Sequence, residues 1–137
     1  MLSREEAKQL LEMAFDAQMR ILEETVGGPY RHTRKSSVKS YQRNKLTEKF
    51  VRVQTGEDLY PTAWERMQSL RAACILDEND HLILAVGSGI GGMNPAVVEL
   101  CFHNDRLEIG AWAKEGFIKQ HTAEKAIDAC LSALKLR

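Results

Sequence analysis

Val97-Val98-Glu99-Leu100-Cys101-Phe102-His103-Asn104-Asp105-Arg106-Leu107-Glu108-Ile109-Gly110-Ala111-Trp112 is the stretch whose reading decides the fold. Asn and Asp tolerate the positive φ of a type I′ two-residue turn, so Asn104-Asp105 is expected to reverse the chain. His103 then pairs with Arg106, Phe102 faces Leu107, Leu100 faces Ile109 and Val98 faces Ala111. All but the pair at the turn are apolar. The alternate positions carry Glu99, Cys101, His103, Arg106, Glu108 and Gly110, with Val97 and Trp112 at the far end. Side chains alternate with period 2 along a strand, so this sorting predicts a hairpin with one buried face. A slip of one residue would drive Glu99 and Glu108 into the core, which specifies the register.

Upstream, Leu70 to Leu76 and His81 to Val86 flank Asp77-Glu78-Asn79-Asp80 and read as another hairpin. Both arms are nearly continuous in apolar residues, which predicts central strands covered on both faces or nearly so. Between the hairpins lies Gly87-Ser88-Gly89-Ile90-Gly91-Gly92-Met93-Asn94-Pro95. Gly87, Gly89 and Gly92 spell G-x-G-x-x-G after a strand, which resembles the dinucleotide fingerprint of Rossmann-type enzymes, with Glu108 about where the ribose-binding acid belongs. The context does not fit that family. Val97-Val98 is β-prone, the preceding strand closes a hairpin, and only 45 residues follow Gly92. What remains is a loop whose glycines let backbone N–H groups approach an anion. This is the alternative functional reading: a nucleotide- or phosphate-binding protein or enzyme using Gly87, Gly89 and Gly92, with His103 and Glu108.

Outside the hairpins, Ser3 to Val26 reads as a helix. Ser3 and Glu6 form a capping box, Leu11, Phe15 and Leu22 share a stripe widened by Leu10 and Ile21, and Gly27-Gly28-Pro29 stops it. Glu48 to Gln54 alternates as an edge strand. Pro61 to Leu70 reads as a short helix with Thr62 and Glu65 as a second capping box, and with Trp64 and Met67 toward the sheet. Thr122 to Leu136 carries a single-face stripe, Ala123, Ala126, Ile127, Cys130, Leu131 and Leu134, behind Thr122 as N-cap. The expectation is one α+β domain over residues 1–137. It has an antiparallel sheet of about five strands, with the N-terminal and C-terminal helices packed on one face.

With 137 residues, 44% hydrophobic and 28% charged, the chain has an ordinary globular composition. It holds no apolar run of membrane-spanning length and no signal-like start. Cys74, Cys101 and Cys130 are odd in number and widely spaced, which suits a reducing cytoplasm. His32, His81, His103 and His121 show no metal-ligand spacing, so neither metal nor cofactor is expected. Cys101 and His103, two apart on a strand, lie roughly 7 Å apart, too far for a direct nucleophile–base pair. Trp112 is open to two readings, a partner anchor or a core residue.

Residues 31–52 are the compositional anomaly. Eight lysines and arginines face the single acid Glu48, a local charge of +7 in a chain of formal net charge zero. His32 to Ser40 reads as polar loop. The leading expectation is a non-catalytic binding protein. It would engage an acidic protein or nucleic acid through Arg31, Arg34, Lys35, Lys39, Tyr41, Arg43 and Lys45, with charge steering followed by aromatic contact.

Overall fold

The alternation of the central stretch becomes a sheet with two covered faces. A computed structural model describes residues 1–25, 34–88, 94–116 and 119–137. Its order is α1 (Arg4–Thr25), α2 (Arg34–Arg43), β1 (Lys45–Gln54), α3 (Tyr60–Met67), β2 (Ala72–Glu78), β3 (His81–Ser88), β4 (Asn94–Phe102), β5 (Arg106–Glu115) and α4 (Thr122–Ala133). All strand pairs are antiparallel, in the order β1-β5-β4-β3-β2. The α+β class, the five strands and the meander of the two hairpins are as expected.

The β4–β5 register is the one the apolar pattern requires: Phe102 opposite Leu107, Leu100 opposite Ile109, Val98 opposite Ala111. The turn chemistry falls elsewhere. Positive φ occurs at Asn79 (53°) and Asp80 (61°), so the type I′ geometry belongs to the first hairpin rather than to Asn104-Asp105. The two arms of that first hairpin are not equally central. β3 is largely buried, whereas β2 is the second edge of the sheet and mostly exposed.

One face of the sheet carries Val98, Leu100, Phe102, Leu107, Ile109 and Ala111. It packs against α4 through Ala123, Ala126, Ile127, Cys130, Leu131 and Leu134, and against α3 through Ala63 and Met67. The opposite face carries Ile83, Val97 and Trp112 and packs against Ala7 and Leu11 of α1 and Tyr41 of α2. The terminal helices therefore lie on opposite faces, not on one. Strand alternation explains why. Val97 and Trp112 point away from Val98 and Ala111, and they form a second apolar island that needs its own cover. Trp112 is fully buried in that island; its Nε1–H donates to Glu48 Oε2 at 3.2 Å, and Phe50 meets it edge-on at 5.6 Å. Gly110 makes room for it: a Cβ there would lie 2.8 Å from the Trp112 ring.

The capping box of α1 forms in both directions. Ser3 N–H donates to Glu6 Oε1 at 2.9 Å and Glu6 N–H to Ser3 Oγ at 3.1 Å. These hydrogen bonds hold the Glu6 carboxyl below its usual range. The helix stop at residues 27–29 lies outside the described residues. The other two caps differ from expectation. Asp58, not Thr62, accepts from the first turn of α3. At α4 the nearly buried Glu115 takes the N–H groups of Gln120 and Thr122 at 3.2 and 2.8 Å, so a strand-end carboxylate replaces Thr122 as cap. Residues 34–40, part of the loop expected from His32 to Ser40, belong to α2 (Arg34–Arg43). The strand expected from Glu48 starts at Lys45.

Because Leu11 is fully buried over the sheet while Met13 on the same helix is 67% exposed, their truncations should separate. Leu11→Ala is expected to cost about 2–5 kcal/mol in urea unfolding, Met13→Ala no more than about 0.5 kcal/mol. Equal losses would contradict this placement of α1.

Candidate functional site

The basic segment becomes a helix whose two sides differ. Toward α1, Arg34 donates from Nε to Glu23 at 2.7 Å and from Nη1 to Asp16 at 3.1 Å. These two carboxylates raise its pKa further. Tyr41 is 4% exposed and stacks flat on Phe15 at 4.1 Å between centroids; burial drives its phenol pKa up. Tyr41 is turned into the core, and Arg34, 35% exposed, is engaged by the two carboxylates. Lys35, Lys39 and Arg43 lie at i, i+4 and i+8, which share one side of a helix, and all three are exposed, as is Lys45 just beyond. Among the described residues none of these four makes an ion pair. Arg31 lies outside the described residues.

Beneath α2 lies Lys114, whose side chain is 1% exposed. It donates to Glu12 Oε1 at 2.9 Å and to the Gln42 carbonyl at 3.1 Å, and stands 5.3 Å from the Tyr41 ring centre. Three acids of α1, Glu12, Asp16 and Glu23, are thus engaged by Lys114 and Arg34. Sequence reading did not single out Lys114, because only the β1–β5 pairing places it under α2.

A second cluster occupies the end of the sheet face that α1 leaves open. Its parts come from β3 and β4, where His81 stands opposite Cys101. The Cys101 Sγ lies 3.0 Å from His81 Nε2, and the same nitrogen lies 3.1 Å from Glu99 Oε2. Glu99 is 4% exposed, and its other oxygen accepts the Leu2 N–H at 2.6 Å. Burial, then the Glu99 charge, pushes the Cys101 thiol up to about 11. A thiol so raised is a poor nucleophile at neutral pH. The arrangement also differs from a nucleophile–base–acid relay, which uses both ring nitrogens, because here one nitrogen faces both partners. Cys101 is therefore paired with His81, not with His103. Glu108 lies near Arg52 (3.2 Å), Arg106 (3.6 Å) and His103 (3.8 Å) at the hairpin tip.

The alternative ligand residues do not converge. Gly87 pairs with Pro95 at one end of β4, while His103 follows its other end, eight residues or about 26 Å along the strand. Gly89 and Gly92 lie outside the described residues. Gly87 instead borders an apolar groove of about 640 Å³ between α1 and β2–β3, lined by Leu10, Met13, Ile21, Ala73 and Ile75. Sequence reading missed this groove because Ile21 falls beside the core stripe of α1, yet it is 62% exposed.

No family model, curated protein or solved structure matches the chain. Among the described residues no helix is long and apolar enough to cross a membrane.

The three cysteines are free and differ in access. Cys74 is exposed, Cys101 is half-buried, and Cys130 is fully buried with its thiol pushed up to about 12 by burial. A raised pKa leaves less thiolate at a given pH and slows reaction with a disulfide reagent. At pH 8 an aromatic disulfide should modify Cys74 first, Cys101 more slowly, and Cys130 only on unfolding. Cys74→Ser should abolish the fast phase; a fast phase that survives would contradict this order.

Proposed function

We propose that this protein is a non-catalytic binding module that holds a nucleic-acid phosphate backbone on the outer face of α2. The observation that carries the reading is the exposed row Lys35, Lys39 and Arg43, continued by Lys45, with no ion pair to any described acid. Arg34 on the inner side has two such pairs. The row spans about 12 Å of helix axis at 1.5 Å per residue. Ser36, Ser40 and Gln42 are exposed beside it. Lysine, arginine and hydroxyl or amide side chains are the usual phosphate donors.

The same face argues against an acidic protein as first choice. Protein interfaces draw much of their energy from buried aromatic anchors. The α2 face has none, since Tyr41 is turned into the core. For the same reason the mode of binding is backbone contact without base stacking. The reading that uses Gly87, Gly89, Gly92, His103 and Glu108 is not carried forward, because Gly87 and the His103–Glu108 pair lie at opposite ends of the sheet. Three free cysteines suit a reducing, cytoplasmic setting.

Fluorescence anisotropy with a labelled DNA duplex across a salt series tests the proposal. Each neutralised phosphate contributes a slope of about −0.9 in log affinity against log salt. Replacing Lys35, Lys39 and Arg43 together by Ser should flatten the slope by about 2.7 and weaken binding on mixed sequences alike. An unchanged slope, or no binding at low salt, contradicts it. Capture of polyglutamate in place of DNA would move the assignment to an acidic protein partner.

A further inference from the structure

Three side chains with different donor atoms point at one small volume on the open end of the α1 face. The Nε2 of His81, the Sγ of Cys101 and a carboxylate oxygen of Glu99 all lie within 4.8 Å of one another. The 3.0 Å and 3.1 Å approaches meet at the same ring nitrogen. One ring nitrogen must serve both neighbours. A neutral imidazole presents either an N–H or a lone pair at that position. With the N–H there, a single proton faces two acceptors. With the lone pair there, it accepts the thiol proton while a carboxylate oxygen lies at 3.1 Å with nothing between them. A cation among the three groups would take one lone pair from each.

We propose that His81, Glu99 and Cys101 bind a divalent transition-metal ion of the zinc class. Bonds of roughly 2.0–2.3 Å at tetrahedral angles set donor atoms about 3.3–3.8 Å apart, so small side-chain adjustments bring the three groups to coordination distance. Thiolate and imidazole together favour zinc or its neighbours over calcium and magnesium, which take oxygen donors. The frame is rigid. Glu99 and Cys101 are two apart on β4, hence on one side of the sheet, and β3 presents His81 opposite Cys101. An outer partner already orients the carboxylate: the Leu2 N–H holds Oε1, leaving Oε2 toward the site. The His81 side chain is 39% exposed and that of Glu99 5%, so the cluster is closed beneath and open at one edge. Three protein ligands leave a fourth position for water or an external donor at that edge. On binding, the Cys101 S–H proton goes to solvent as the sulfur–metal bond forms, and nothing is oxidised or reduced. The site shares no residue with the α2 face, so the two proposals stand or fall separately.

Cobalt(II) titration of the full chain, read by absorption, is the direct test. A cobalt–thiolate charge-transfer band in the near ultraviolet, with visible d–d bands of a four-coordinate ion, is expected, and zinc should displace both. Cys101→Ser should lose the charge-transfer band, whereas Cys74→Ser, at the exposed cysteine of β2, should keep it. His81→Gln should weaken cobalt binding at least about tenfold, since even removal of outer partners has that effect. Should Cys101→Ser fail to fold, the half-exposed His81 position supplies the same reading. Absence of the band in the unaltered chain, its persistence in Cys101→Ser, or unchanged affinity in His81→Gln overturns the proposal.

Discussion

The pairing of β4 with β5 sets both layers of helices. Leu100 against Ile109 and Val98 against Ala111 give α3 and α4 an apolar surface on one side. The same register turns Val97 and Trp112, themselves paired, to the other side, where α1 and α2 must cover them. A sheet covered on both faces is the usual consequence when alternate residues of a central strand are both apolar. Here the second apolar set is short. It ends at Glu99, and beyond it the strand carries Cys101 and His103 into a strip that α1 does not reach. One register therefore produces the core and the position of α1, and the β3–β4 register adds the polar cluster at the hairpin end.

Charge distribution follows from the same geometry. Lys114 continues β5 on the α1 side and is buried under α2, so it requires a carboxylate and a carbonyl, which Glu12 and Gln42 provide. Arg34 draws Asp16 and Glu23. The acids of α1 that face α2 are thereby engaged on the inner side, and the outer cations of α2 keep their charge for solvent or a partner. Within α2 the basic charge is therefore divided between an inner side that is paired and an outer side that is not.

The hairpins, the stripe of α4 and the capping box of α1 were legible because each rests on local spacing: period 2, period 3.6, and Ser3 with Glu6. α2 was not. Arg34–Arg43 has only Val38 and Tyr41 as apolar residues, and its helix is held by stacking on Phe15 and by the Arg34 pairs, contacts between parts of the chain that no window contains. The placement of both terminal helices on one face failed because the second apolar set is small, with Ile83, Val97 and Trp112 as its only buried strand residues among those described. Arg34 and Tyr41 were expected on the surface with Lys35 and Lys39, and only the helix phase separates them. The meeting of His81 with Cys101 depends on the β3–β4 register.

The claim that the β4–β5 ladder is the axis of the molecule is tested most directly by native-state hydrogen exchange. Amides of Val98, Leu100, Ile109 and Ala111 should exchange only through global unfolding, and those of the edge strand β2 at lower free energy. Exchange of β4 and β5 amides as fast as those of β2, while α1 stays protected, would contradict it.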